Sequence, residues 1–200
     1  MFIISKLEEI SSIFAGFTFR KQIEEVPFGK YKVIQTKDIV GNSYLDFSNL
    51  TKVDENIKEN HLLKQNNLLV RAKGVNTLAY HINIPVENTI ASSQFFVVKN
   101  IDSRVLSEYL TWYINQPNAQ DYLANNARTM TVPNITKPIL GQLEIIIPSI
   151  EIQSKIIKLN ELKNKEIVLL DTIKEKRQIL LNTVMNKMLT GSIIRDVEND

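Results

Sequence analysis

Apolar positions along the chain fall into two regimes. Up to Pro148 they come in short runs separated by turn residues, as in YKVIQTKDI (residues 31–39), LLKQNNLLVR (62–71) and QFFVV (94–98). Runs of this length, rich in β-branched and aromatic residues and bounded by Gly41-Asn42 or Ala72-Lys73-Gly74, predict strands. Tyr80 to Ile84 and Gln142 to Ile147 read the same way, and Lys6 to Phe14 reads as a short helix or strand. Between them Leu106, Tyr109, Leu110, Tyr113 and Ile114 recur at three and four residues. That spacing predicts a helix over 102–123, capped at Asp102 or Ser103 and interrupted at Pro117.

After Pro148 the period changes. Neither proline nor glycine occurs again before Gly191. Ile152, Ile156, Leu159 and Leu162 form one apolar stripe, which Leu169, Ile173, Leu180, Val184 and Met188 continue. Ser149 is placed to cap this helix and Gly191 to stop it. About forty residues at 1.5 Å rise reach roughly 60 Å, more than a small module is wide. Such a stripe needs another long helix to cover it, and Leu159, Leu162, Leu169, Ile173, Leu180 and Val184 are the candidate pairing positions. The heptads are not clean, since Lys163, Glu166 and Arg177 fall near the seam. A helix that breaks and folds back on its own module therefore stays open beside a partner-binding one. The fold class expected is α+β: a mixed module of short strands and helices over residues 1–148, a long helix over 149–191, and a tail over 192–200.

Composition changes this picture little. Apolar residues make up 44 % and charged residues 23 % of the 200, ordinary values for a chain with a real core. The absence of cysteine rules out a disulfide scaffold, a thiolate metal site and a thiol nucleophile. The opening MFIISKLEEISSIF meets charge too early for a secretory signal, and no apolar run nears the roughly eighteen residues of a membrane span. A cytoplasmic location is expected, which makes the Asn49-Leu50-Thr51 and Asn134-Ile135-Thr136 sequons chance matches. Net charge is +2. It divides evenly, with 15 basic and 14 acidic residues before Ser149 and 9 and 8 from there on. A nucleic-acid partner would have to meet positive charge gathered on one face, or charge supplied by another subunit.

Catalytic patterns are missing. There is no glycine-rich phosphate loop, no G-x-S-x-G elbow, no H-E-x-x-H pair and no Asn/Asp-Pro-Pro methyltransferase motif. His61 and His81 stand apart in the sequence. The pairs Glu8-Glu9, Glu24-Glu25 and Asp54-Glu55 are adjacent, as in solvated turns, whereas a nuclease site draws carboxylates from separate strands. No metal site and no covalent chemistry are expected of this chain.

Four segments together resemble the DNA-specificity subunits of type I restriction–modification systems. The first is IFAGFTF (13–19) followed by VIQTKDI (33–39), and the second is LLKQNNLLVRAKG (62–74). The third is Tyr109-Leu110 with WYINQP (112–117), then TMTVPNITKPILGQL (129–143). The fourth is LEIIIPSIEIQSKII (143–157), leading into the long helix that closes at Leu189-Thr190-Gly191. The order and spacing of the four, over nearly the whole chain, carry the likeness. Two details depart from it: Ala127-Arg128-Thr129 replaces the usual Gly-Thr pair, and Glu151-Ile152-Gln153 replaces an adjacent Glu-Gln.

The resemblance implies a target-recognition domain over 1–148 followed by a spacer helix, with one such unit in this chain where family members carry two. It implies double-stranded DNA as ligand, and a modification subunit as partner that holds S-adenosylmethionine and methylates adenine. A restriction subunit is a further partner, and this chain itself binds no cofactor. Two copies pairing their helices antiparallel would read a gapped palindrome, whereas a different partner would give an asymmetric site. A pure oligomerisation or adaptor protein, with no DNA specificity, is the competing reading. Base-edge and phosphate readout favour Arg, Lys, Asn and Gln on projecting loops. GFTFRK (16–21), RAKGVNTLAY (71–80) and RTMTVPN (128–134) qualify, with Arg20, Lys73, Asn76, Arg128, Thr129 and Asn134 as candidate contacts and Gln35 beside them. Phe17 and Phe19 are expected in the core.

Overall fold

The computed structural model describes residues 2–41, 44–73, 77–127 and 134–189. It is an α+β chain with short strands and a long C-terminal helix. In chain order the elements are β1 (Ile3–Lys6), α1 (Leu7–Ile10), β2 (Ser12–Ala15), β3 (Tyr31–Ile34), β4 (Ile39–Val40), β5 (Tyr44–Leu45), β6 (Thr51–Val53), β7 (Leu68–Arg71) and β8 (Ala79–His81). There follow β9 (Thr89–Ala91), β10 (Phe95–Lys99), α2 (Ser107–Ile114), α3 (Pro117–Asn126), α4 (Lys137–Gly141), β11 (Glu144–Ile147) and α5 (Ile150–Leu189). Two compact units divide after Ile157. The first therefore takes in the opening turns of α5, beyond Pro148.

In the first unit a four-stranded antiparallel sheet runs β2-β10-β7-β8. Both of its faces are covered. Leu68, Val70, Ala79 and Val98 point into a core with α1 to α4, while Leu69, Tyr80, Phe95 and Val97 point the other way onto Ile34, Leu45 and Leu63. This alternation explains the unbroken apolar runs LLV and FFVV, since a strand covered on both faces has no polar side to show. Leu68, Leu69 and Val98 are fully buried, each contributing about 2 kcal/mol relative to exposure.

A second sheet, β6-β3-β9, is antiparallel on one side and parallel on the other. Its Tyr31, Val33, Val53 and Ile90 form a third core with Ile57, against which Phe17 and Phe19 pack. The pairs β1-β11 and β4-β5 complete the strands, with Ile3 opposite Ile147 and Lys6 opposite Glu144.

The helical stretch expected over 102–123 divides at Pro117 as expected, but it begins later. The Asp102 carboxylate takes the Arg104 backbone N–H (2.8 Å) and its guanidinium (2.7 Å), which makes a turn there instead of a cap. Helix α2 starts at Ser107 and α3 restarts with Pro117 in its first turn. Helix α5 is 40 residues long and begins at Ile150, directly after Ser149. Gly191 and the tail lie outside the described residues.

The second unit, described from Lys158 to Leu189, consists of helix α5 alone. Leu159, Leu162, Leu169 and Leu180 are between 51 and 67 % exposed, Ile173 is 46 % exposed, and Val184 is half-buried.

Candidate nucleic-acid interface

The Gly16–Lys21 segment is anchored from its apolar side. Gly16 gives its N–H to the Phe95 carbonyl (2.9 Å) and Phe17 gives its own to Ala91 (2.7 Å). A side chain at Gly16 has no room, because a Cβ there would stand 2.1 Å from the Ser92 carbonyl oxygen. Phe17 then meets Phe19 edge-on at 4.8 Å and His61 at 5.3 Å, half-buried over the third core. With the aromatic pair turned in, Arg20 and Lys21 are left exposed.

Two of the candidate contacts meet. Lys73 and Asn134 face each other in an isolated antiparallel bridge, and Ile135 gives its N–H to the Ala72 carbonyl (3.0 Å). Lys73 is exposed and its carbonyl accepts from the Arg71 guanidinium (2.9 Å). Asn134 turns its amide nitrogen onto the Ala72 carbonyl (2.8 Å) and that of Ile135 (3.2 Å), so its side chain ties the bridge together. Asn76, Arg128 and Thr129 lie outside the described residues. Gln35 is elsewhere: it is half-buried, and its amide donates to the Thr51 hydroxyl (3.0 Å), which also receives the Lys37 ammonium (2.7 Å).

Sequence reasoning missed the side chains that brace the Lys73–Asn134 region. Asn115 accepts the Ala79 N–H (2.8 Å) and donates to the Ala79 carbonyl (2.9 Å), completing the edge of β8 as a neighbouring strand would. Gln120 holds Thr77 through the hydroxyl (3.1 Å) and the carbonyl (3.3 Å), and reaches the Ile114 carbonyl at 2.8 Å. Asn115 and its neighbours stand in the WYINQP segment, but nothing in their spacing says which strand they serve.

The two histidines are held neutral: burial lowers His61, with Lys99 and Lys58 adding to it, and burial lowers His81 against the pull of Glu108. The Arg104 guanidinium beside Asp102 keeps that carboxyl at about 2. Lys99 is lowered by burial and spends its ammonium on the carbonyls of Asn60 (2.8 Å) and Leu62 (2.6 Å). Among the described residues no three His, Cys, Asp or Glu side chains converge as metal ligands, and no helix is long and apolar enough to cross a membrane.

The family model of the type I restriction modification DNA specificity domain matches residues 2–180. The chain belongs to that family. No curated protein matches it. Among solved structures, one of a type I R-M system, determined for its complex assembly and conformational transition, is 14 % identical with a TM-score of 0.70 and covers 92 % of this chain. The HsdS subunit from Thermoanaerobacter tengcongensis is 12 % identical with a TM-score of 0.61 over 84 % of it. The type I restriction–modification S subunit from M. genitalium is 16 % identical with a TM-score of 0.52 over 88 %. This chain covers 43 %, 38 % and 44 % of those chains respectively. At such identities the likeness is one of fold: this specificity-domain chain shares its architecture with less than half of each.

Proposed function

We propose that this chain is a non-catalytic, sequence-specific DNA-recognition unit of a type I restriction–modification system. The observation that carries the reading is the family match over residues 2–180. The Lys73–Asn134 bridge supports it, since it brings two of the candidate contacts to one place. In this reading Arg20, Lys73, Asn76, Arg128 and Thr129 contact DNA. Gln35 and Asn134, whose amides are committed to neighbouring groups, position the surface around them.

The apolar positions of α5 pair with a second long helix. The partner is taken to be another copy, antiparallel about a twofold axis, which sets two identical modules against a gapped palindrome. The modification subunit brings S-adenosylmethionine and transfers its methyl group to adenine, and a restriction subunit cuts. The whole works in the cytoplasm.

Co-purification with the modification subunit, followed by selection of binding sites from random duplexes, tests the reading. A two-part motif with fixed spacing, methylated on adenine by the complex, is the expected result. Binding with no sequence preference would leave the adaptor reading in its place.

A further inference from the structure

Val26, Pro27, Phe28 and Gly29 form a tight turn, closed by the Gly29 N–H donating to the Val26 carbonyl at 2.8 Å, with proline at the second position. The turn is fastened to β6. Val26 gives its N–H to the Lys52 carbonyl (2.9 Å), and a Cβ on Gly29 would stand 2.6 Å from the Val53 nitrogen. On this braced turn Phe28 is 98 % exposed, more than any other large apolar residue described. Phe17 and Phe19, only a few residues earlier, are turned into the core.

Beside the turn stand three lysines, of which Lys30 lies over the Tyr31 ring at 5.2 Å. Lys32 of β3 lies directly opposite Lys52 of β6, both exposed, and Lys30 follows the turn. Like charges facing across an antiparallel pair repel, and sheets ordinarily avoid them. None of the ion pairs among the described residues involves these three. Glu24, Glu25, Asp54 and Glu55 are near in sequence and exposed, and they too form no ion pair there.

An anion between Lys32 and Lys52 removes that repulsion, and a row of anions serves Lys30 as well. We propose that the Val26–Gly29 turn and the Lys32–Lys52 pair are a contact for duplex nucleic acid. The ammonium groups take neighbouring backbone phosphates, and the Phe28 ring packs against the base edges in the adjoining groove. Apolar side chains, phenylalanine among them, contact base edges in this way at thymine methyl groups in the major groove. A protein partner burying Phe28 would have to match the ammonium groups with carboxylates, whereas a nucleic-acid backbone carries the needed charge throughout. This contact rests on the DNA reading above and adds to it residues that no sequence motif singled out.

The test uses the full chain and a mixed-sequence double-stranded DNA followed by fluorescence anisotropy across a range of salt. Removing two phosphate contacts in the double variant K32S/K52S lowers the slope of log affinity against log salt by about two. Phe28→Ala weakens binding several-fold at every salt and leaves the slope unchanged. In Phe28→Trp the added indole emission is quenched when duplex is bound. All these sites are exposed, so unfolding midpoints stay near wild type. A wild-type chain that binds no duplex at low salt, alone or with the modification subunit, would sink the DNA reading and this contact with it. A wild-type chain that binds, beside a double variant of unchanged slope or a silent indole, would overturn this contact alone. Loss of self-association in Phe28→Ala, with duplex binding intact, would also overturn it and make the turn a contact between copies.

Discussion

The side-chain carbonyl of Gln153 accepts the backbone N–H of Leu106 at 2.9 Å, across 47 residues of sequence. Its amide nitrogen meanwhile donates to the carbonyls of Arg104 and Pro148, each at 2.8 Å. The residue is fully buried. A single amide thus holds the first turn of α5, the loop before α2 and the end of β11 together. The Leu106 N–H, which opens α2, finds no other partner among the described residues.

Removing that amide strands three backbone groups. Gln153→Ala is expected to destabilise the first unit by about 3 kcal/mol, because each buried group left without a partner costs on the order of 1–3 kcal/mol and some relax toward water. Gln153→Glu is expected to be worse, since a carboxylate keeps the Leu106 N–H but faces two carbonyl oxygens. Urea unfolding followed by circular dichroism ranks the three chains, and a Gln153→Glu midpoint equal to wild type would contradict the account.

The exposed row on α5 predicts an assembly state. Leu169, at 63 % exposure, and Ile173, at 46 %, lie four residues apart on one face. Light scattering is expected to give twice 23.0 kDa for the wild-type chain and a single 23.0 kDa for the L169E/I173E variant. A monomeric wild type would assign the row to a different partner helix.

Gly16 tolerates no side chain. Its missing Cβ would sit against backbone atoms, the Ser92 and Ala91 carbonyls, which cannot swing aside as a flexible side chain does. Gly16→Ala is expected to cost about 3 kcal/mol or more, at the upper end for overpacked sites. Loss of DNA binding should accompany it, since Arg20 and Lys21 follow directly. A midpoint within experimental error of wild type would refute the packing argument.

Alkaline pH should weaken the first unit. The Tyr109 hydroxyl donates to the Ile146 carbonyl (2.7 Å), and burial, with Tyr113 adding to it, raises its pKa to about 12. The folded chain keeps a proton there that the unfolded chain loses near 10. Stability from this group is therefore complete below about 10 and declines as pH rises toward 12. Tyr109→Phe is expected to cost about 1 kcal/mol at neutral pH and to flatten the decline. It does not abolish it, because burial also raises Tyr80 and Tyr122. Thermal melts between pH 8 and 11, about the range that brackets an ordinary tyrosine, decide the point.

Much of the architecture was legible because it depends on local pattern. β7 and β10 announce themselves in LLVR and FFVVK, and α5 in forty residues free of proline and glycine. What could not be read were contacts set by the way the chain returns on itself. The start of α2 was misplaced because Asp102 spends its carboxylate on Arg104, while the Leu106 N–H is satisfied from α5. At the candidate interface, residue type alone suggested Asn134 and Gln35, yet both amides are spent within the protein. Asn115 and Gln120 went unassigned because their partners, Ala79 and Thr77, lie 36 and 43 residues away. Lys32 facing Lys52 is a matter of strand register, which no window of sequence reports.

The pairing of β1 with β11 has an architectural consequence. Ile3 lies opposite Ile147, so the chain at these two residues stands about 5 Å apart. A segment exchanged between Ile3 and Ile147 would leave no gap to span, but it would have to supply the N–H and carbonyl that Leu106 and Arg104 offer to Gln153.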